Sequence, residues 1–310
     1  MLAVGQSRVL LITTGTCEER GLPQSLERLF PDLNFVSIKR DSFTSDTLRP
    51  LAHDPVTSLP QVASLAQKLA AELVAAVEPG QRDTPPEMVI LVDDLELANI
   101  GNEQVVLAHI RNAVRNHLES HTWATANTKE RATARVRERC SFHLLVPMVE
   151  AYFFGEPQPA GTTTRPHGAL LQAGAIRPSQ FDLAKNDVEA FHASESDFSD
   201  RSKRPDGSTY WATNRREQHP KQYVRFLCNP DPTDGSQLPY REGKGGAEAL
   251  RTLDWHRVLS GFPQRAKFAR SLFADIAERF NIPNPCPGEL AAATAPKALD
   301  PSNPPVLRNL

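Results

Sequence analysis

One stretch constrains this chain more than any other. Met88-Val89-Ile90-Leu91-Val92 runs without a break into Asp93-Asp94-Leu95-Glu96. A short apolar run rich in β-branched residues reads as a strand covered on both faces, and a parallel sheet supplies that environment. The acids directly after it then fall at the carboxyl end of the strand. Open α/β sheets bind their ligands beyond those ends.

The surrounding pattern agrees. Val9 to Thr13 is a second short apolar run, closed by Thr14-Gly15-Thr16. Leu22, Leu26, Leu29 and Phe30 follow at helical spacing, and Phe35, Val36 and Ile38 suggest another strand. Residues 41–58 read as loop. Leu65, Leu69, Leu73 and Val77 predict an amphipathic helix over 61–78, and Val106, Ile110, Val114 and Leu118 predict another. Residues 128–139 are polar and basic. Phe142 to Met148 reads as a strand, and Val149 to Phe154 as the start of a short helix. Alternating strands and helices predict an α/β fold with a mostly parallel, Rossmann-like sheet and flanking helices. Residues 1–160 are expected to form that core. Residues 161–282 are expected as a coil-rich, partly helical accessory region, with Phe268, Leu272, Ile276 and Phe280 marking a helix that ends before Pro283. Residues 283–310 are Pro- and Ala-rich and are expected as a flexible tail.

Composition excludes several classes. A net charge of -2 over 310 residues provides no global attraction to nucleic acid or anionic membrane. No segment reaches the roughly 20 apolar residues that a membrane span needs, and no signal peptide is expected. The four cysteines are scattered and form no C-x-x-C pair, which fits reduced thiols and a cytoplasmic location. There is no G-x-S-x-G, Walker A or G-x-G-x-x-G signature. Gly243-Lys244-Gly245-Gly246 precedes a helix and could hold an anion without P-loop spacing. His117 and His121, four apart, could share a metal but have no evident third ligand.

The chemistry-bearing residues are acids at strand ends: Glu18 and Glu19 after the first strand, Asp93, Asp94 and Glu96 after the central one, and Glu150 after the last. Hard oxygen ligands of this kind suit Mg²⁺ or Mn²⁺, which can neutralise a phosphate and activate water. The ordinary alternative is that they cap helices and turns. Two basic segments, Lys129 to Arg139 and Arg201 to Arg225, the second with Tyr210, Trp211 and Tyr223, could contact phosphates or simply face solvent.

This order of motifs resembles the Toprim domain of primases, topoisomerases and overcoming-lysogenization-defect nucleases. More narrowly, it resembles a Toprim-like bacterial family encoded beside ATPases in defence loci. The matching pieces are Gly15-Thr16-Cys17-Glu18-Glu19, Val89 to Glu96, Val149-Glu150-Ala151-Tyr152-Phe153, His219-Pro220-Lys221-Gln222-Tyr223, and Tyr240 to Lys244 with Leu253-Asp254-Trp255. The chain departs from the pattern at Thr14, where the family has glutamate, and at Asp94-Leu95-Glu96, which ends a D-x-D-like triplet in glutamate. The resemblance implies a metal-dependent nuclease or related phosphoryl-transfer hydrolase in anti-phage defence. Glu18 or Glu19 would serve as general acid or base, Asp93, Asp94 and Glu96 would hold the divalent ion, and Glu150 would complete the site. Lys221, Glu242 and Lys244 would contact substrate. The main rival reading is a non-catalytic partner or sensor subunit acting with an ATPase, and a third is a nucleotide hydrolase. Nucleic acid and a second copy of the chain are further expected partners. No tyrosine is placed for strand passage.

Overall fold

The computed structural model describes residues 7–44, 65–78, 84–157, 165–193, 217–229, 240–297 and 304–310. β1 (Ser7–Thr13), β2 (Leu33–Lys39), β3 (Met88–Asp94) and β4 (Cys140–Leu145) form one parallel sheet in the order β2-β1-β3-β4. The chain passes outward from β1 to β2, then crosses back over β1 to β3 and continues to β4. The connections leaving β1 and β3 thus diverge, and such a switch point opens a crevice at the carboxyl ends of the two strands. The α/β expectation holds, with the central run as β3.

Alternation along the strands divides the core in two. Val9, Leu11, Met88, Ile90 and Val92 face one layer, built from α1 (Thr16–Leu29), α5 (Gly168–Ala173), α6 (Pro220–Cys228), α7 (Ala247–Thr252), α8 (Trp255–Leu259) and α9 (Lys267–Phe280). Ile12, Val89, Leu91, Phe142 and Leu144 face α2 (Leu65–Val77), α3 (Glu103–Ser120) and α4 (Ala126–Arg139). Helices α5 to α9 share the first core, so among the described residues the sheet and these helices have one interior. The basic stretch 128–139 is helical because Ala132 and Val136 supply one buried stripe. Of the helix expected over 61–78, residues 61–64 lie outside the described residues, as do 45–58 of the expected loop.

Helix α1 starts at Thr16, well before the apolar spacing suggests, and carries Pro23 in its interior. Proline has no N–H for the Glu19 carbonyl four residues back. The Ser37 hydroxyl on β2 donates to that carbonyl instead, at 2.6 Å. The early start places Glu18 and Glu19 in the first turn.

The segment expected as a flexible tail packs against the core where it is described. Arg270, 1% exposed, explains part of this. Its guanidinium donates to the carbonyls of Leu259, Phe262, Arg265, Cys286 and Pro287, which binds residues 286–287 to α9 and its preceding loop. Such a fork offers five donors, and none remains for solvent. Farther on, the Asn309 amide takes a hydrogen bond from the Phe142 N–H and gives one to the Phe142 carbonyl. The free edge of β4 is thereby covered, which removes a template for unwanted strand pairing. On the same strand, buried His143 lies 3.0 Å from Asp275 of α9, whose other oxygen accepts from Arg308 at 2.9 Å.

Candidate active site

Three chain segments converge at the carboxyl ends of the sheet: the β1–α1 turn, the residues after β3, and the 3-10 turn Val149–Phe154 after β4. With Ser42 after β2, Lys221 on α6 and Glu242 at the start of a π-turn (Glu242–Gly246), they enclose a cavity of about 420 Å³. Glu18, Asp93, Asp94, Glu96, Glu150, Lys221 and Glu242 all line it.

Each acid is held differently. Asp93 is 1% exposed and accepts from the hydroxyls of Thr14 and Ser42, the latter at 2.8 and 2.9 Å to its two oxygens. It therefore ties the turns after β1 and β2 to β3. Asp94 accepts the Val149 N–H on Oδ1 at 2.9 Å. Glu96 sits at φ 65° and its N–H donates to the Pro147 carbonyl at 2.8 Å. A positive φ at a side-chain-bearing residue costs on the order of 1–3 kcal/mol and is retained where the surroundings over-determine it. Glu18 folds back over its own helix start: a Cβ on Gly15 would lie 2.0 Å from Glu18 Oε2, so a side chain there would push the carboxylate aside. Glu150 is 0% exposed; its Oε1 accepts the Tyr240 hydroxyl at 3.0 Å, and its Oε2 is buried without a hydrogen-bond partner among the described residues.

The electrostatics follow from this crowding. Burial, reinforced by Glu150, pushes Glu18 up to about 7. Burial likewise raises Glu96 to about 7, against the pull of Lys221. Burial raises Asp93 to about 6, restrained by its hydroxyl donors. Asp94 is held well above the usual carboxylate range by burial and by Glu18, Glu96 and Glu150. Lys221 lies 3.2 Å from Glu242 and 3.8 Å from Glu150. Burial works against its charge, but Glu150, Glu242, Asp94 and Glu96 together raise its pKa, so it stays an ammonium.

The structure thus brings together seven of the nine residues singled out from the sequence. Glu19 is half-buried and Lys244 exposed, and neither lines the cavity. On a helix, a residue one position from Glu18 points about 100° away, which removes Glu19. Glu150 is buried in the 3-10 turn that follows β4. Two glycines of 243–246 allow close packing: a Cβ on Gly245 would meet the Ala173 carbonyl at 2.4 Å, and one on Gly246 the Tyr240 hydroxyl at 2.4 Å. Thr14, Ser42 and Tyr240 are participants that sequence reasoning missed. A hydroxyl beside an acid at a neighbouring strand end was the available signal for the first two. His117 and His121 have ring centroids 5.3 Å apart at the end of α3. Of the second basic segment, residues 201–216 lie outside the described residues, and Tyr223 is buried in the core.

Among the described residues, no three His, Cys, Asp or Glu side chains converge to metal-ligand distance. The acids nonetheless fit a hard divalent cation by the chemistry of their donors: all oxygen, clustered, mutually repelling, with the Oε2 of Glu150 buried and unpartnered. No helix of the described residues is long and apolar enough to cross a membrane. No known protein family, curated protein or solved structure matches this chain.

Proposed function

We propose that this chain is a metal-dependent phosphodiester hydrolase of Toprim-like type, a nuclease, with its centre at Asp94, Glu96 and Glu150. The observation that carries this reading is the convergence of Glu18, Asp93, Asp94, Glu96, Glu150 and Glu242 on one cavity beside the partly buried Lys221. Burial and neighbouring acids together raise Glu18, Asp94 and Glu96, and a fold keeps such an arrangement for chemistry more readily than for stability. Capping accounts for only part of the set: Asp94 accepts the first N–H of the Val149–Phe154 turn, while Glu96 makes no side-chain cap bond to the Leu97–Asn99 turn that it precedes.

Asp94, Glu96 and Glu150 would hold Mg²⁺ or Mn²⁺, which supplies charge neutralisation at phosphate and an activated water. Glu18, held at about 7, can exchange a proton at neutral pH and suits a general acid or base. Lys221 keeps its charge beside the cluster and can meet a phosphate oxygen, with Glu242 holding it in place. A role beside an ATPase in anti-phage defence belongs to the same proposal and rests on the resemblance alone.

The test is a substrate panel of plasmid, single-stranded DNA, tRNA and free nucleotides, each with Mg²⁺, Mn²⁺ or chelator. Cleavage of a polynucleotide that requires metal is expected. Turnover of free nucleotides alone would make the chain a nucleotide hydrolase, and no turnover of any substrate would favour a partner subunit.

A further inference from the structure

Tyr240 lies outside the cavity lining yet touches its least accommodated acid. Its hydroxyl donates to Oε1 of Glu150 at 3.0 Å, and both residues are buried, at 3% and 0% exposure. Lys221 approaches the same oxygen at 3.8 Å. Oε2 is left buried with no hydrogen-bond partner among the described residues. A carboxylate with both partners on one oxygen has its rotation fixed and its other oxygen without a hydrogen-bond partner among the described residues.

The neighbouring sequence is built around that phenol. Gly246 leaves the space that the Tyr240 hydroxyl fills, since a Cβ there would lie 2.4 Å from it. Two residues after Tyr240, Glu242 takes Lys221 at 3.2 Å. One short segment, 240–246, thus sets the phenol on Glu150 and steadies the lysine beside it.

We infer that Tyr240 is a positioning residue that turns Glu150 so that Oε2 is the oxygen offered to a divalent cation. This rests on the metal reading above. Partners behind a metal ligand fix its orientation, and their loss costs about 10–100-fold in metal affinity.

The experiment is a calorimetric titration of the full chain with MnCl₂, run beside a thermal melt, for the parent, Tyr240→Phe, Gly246→Ala and Glu150→Gln. Phenylalanine keeps the ring and removes only the donor. Alanine at 246 keeps the phenol and displaces it. The expected result is Mn²⁺ binding weakened about tenfold or more in both variants, and at least as much in Glu150→Gln. A Tyr240 that only supports the fold would lower the melting temperature and leave Mn²⁺ affinity at the parental value. That result in either folded variant overturns the positioning role while leaving the metal site standing. A parent that takes up no Mn²⁺ overturns both.

Discussion

Replacing Asp94 by asparagine is expected to abolish metal-dependent cleavage and, at the same time, to make the protein harder to unfold. Asp94 sits among Glu18, Glu96 and Glu150, and its pKa is raised by burial and by all three. The hydrogen bond that its side chain accepts from the Val149 N–H can be accepted equally well by an asparagine oxygen. The substitution therefore removes repulsion without removing a structural contact. Removing one charged ligand forfeits several kcal/mol of charge stabilisation, and about 4 kcal/mol is a thousandfold in rate. Relief of repulsion should raise the melting temperature by about 2 °C or more for each kcal/mol recovered. Parallel initial-rate and melting measurements on parent and Asp94→Asn check both halves. A variant that cuts like the parent would place the chemistry elsewhere. A variant that loses both activity and stability would make Asp94 a structural residue.

The second large effect concerns pH. Glu18 and Glu96 are raised to about 7 in the folded chain. In the unfolded chain both titrate near the ordinary glutamate value of about 4.3. Between those values the folded state binds more protons than the unfolded state, so stability falls as pH rises. It is greatest below about 4.5 as far as these groups are concerned, and their penalty is complete above about 7. For Glu18, which is 3% exposed, the shift to about 7 corresponds to about 3 kcal/mol. The chain should therefore melt several degrees lower at pH 8 than at pH 5.5, and millimolar Mg²⁺ or Mn²⁺ should recover most of that loss at pH 8 while changing little at pH 5.5. A melting temperature that rises with pH over this range would contradict the crowded-carboxylate account.

The parts of this architecture that were legible in the sequence are those where one local signal decides. The run Met88 to Val92 has a single physical reading, and the acids after it follow from that. The parallel sheet, helix α9 and the acids Glu18, Asp93, Asp94, Glu96 and Glu150 were accessible on those terms, whereas Lys221 and Glu242 came only from the resemblance. What escaped depends on contacts far apart in sequence. The early start of α1 is hidden because Pro23 reads as a helix breaker until Ser37, on another strand, takes the orphaned carbonyl. Residues 283–297 and 304–310 lack an apolar stripe, so composition alone reads as tail. Their order comes from Arg270 collecting carbonyls and from Asn309 pairing with β4. Tyr240 is ninety residues from Glu150, and no spacing rule connects them.

The most direct test of the central claim is the anomalous difference density of a crystal grown or soaked with Mn²⁺. The account predicts a peak inside the cavity, with oxygens of Asp94 and Glu150 at about 2.0–2.2 Å. A well-diffracting crystal with no peak there, or with Mn²⁺ only at a surface position such as His117 and His121, would contradict it.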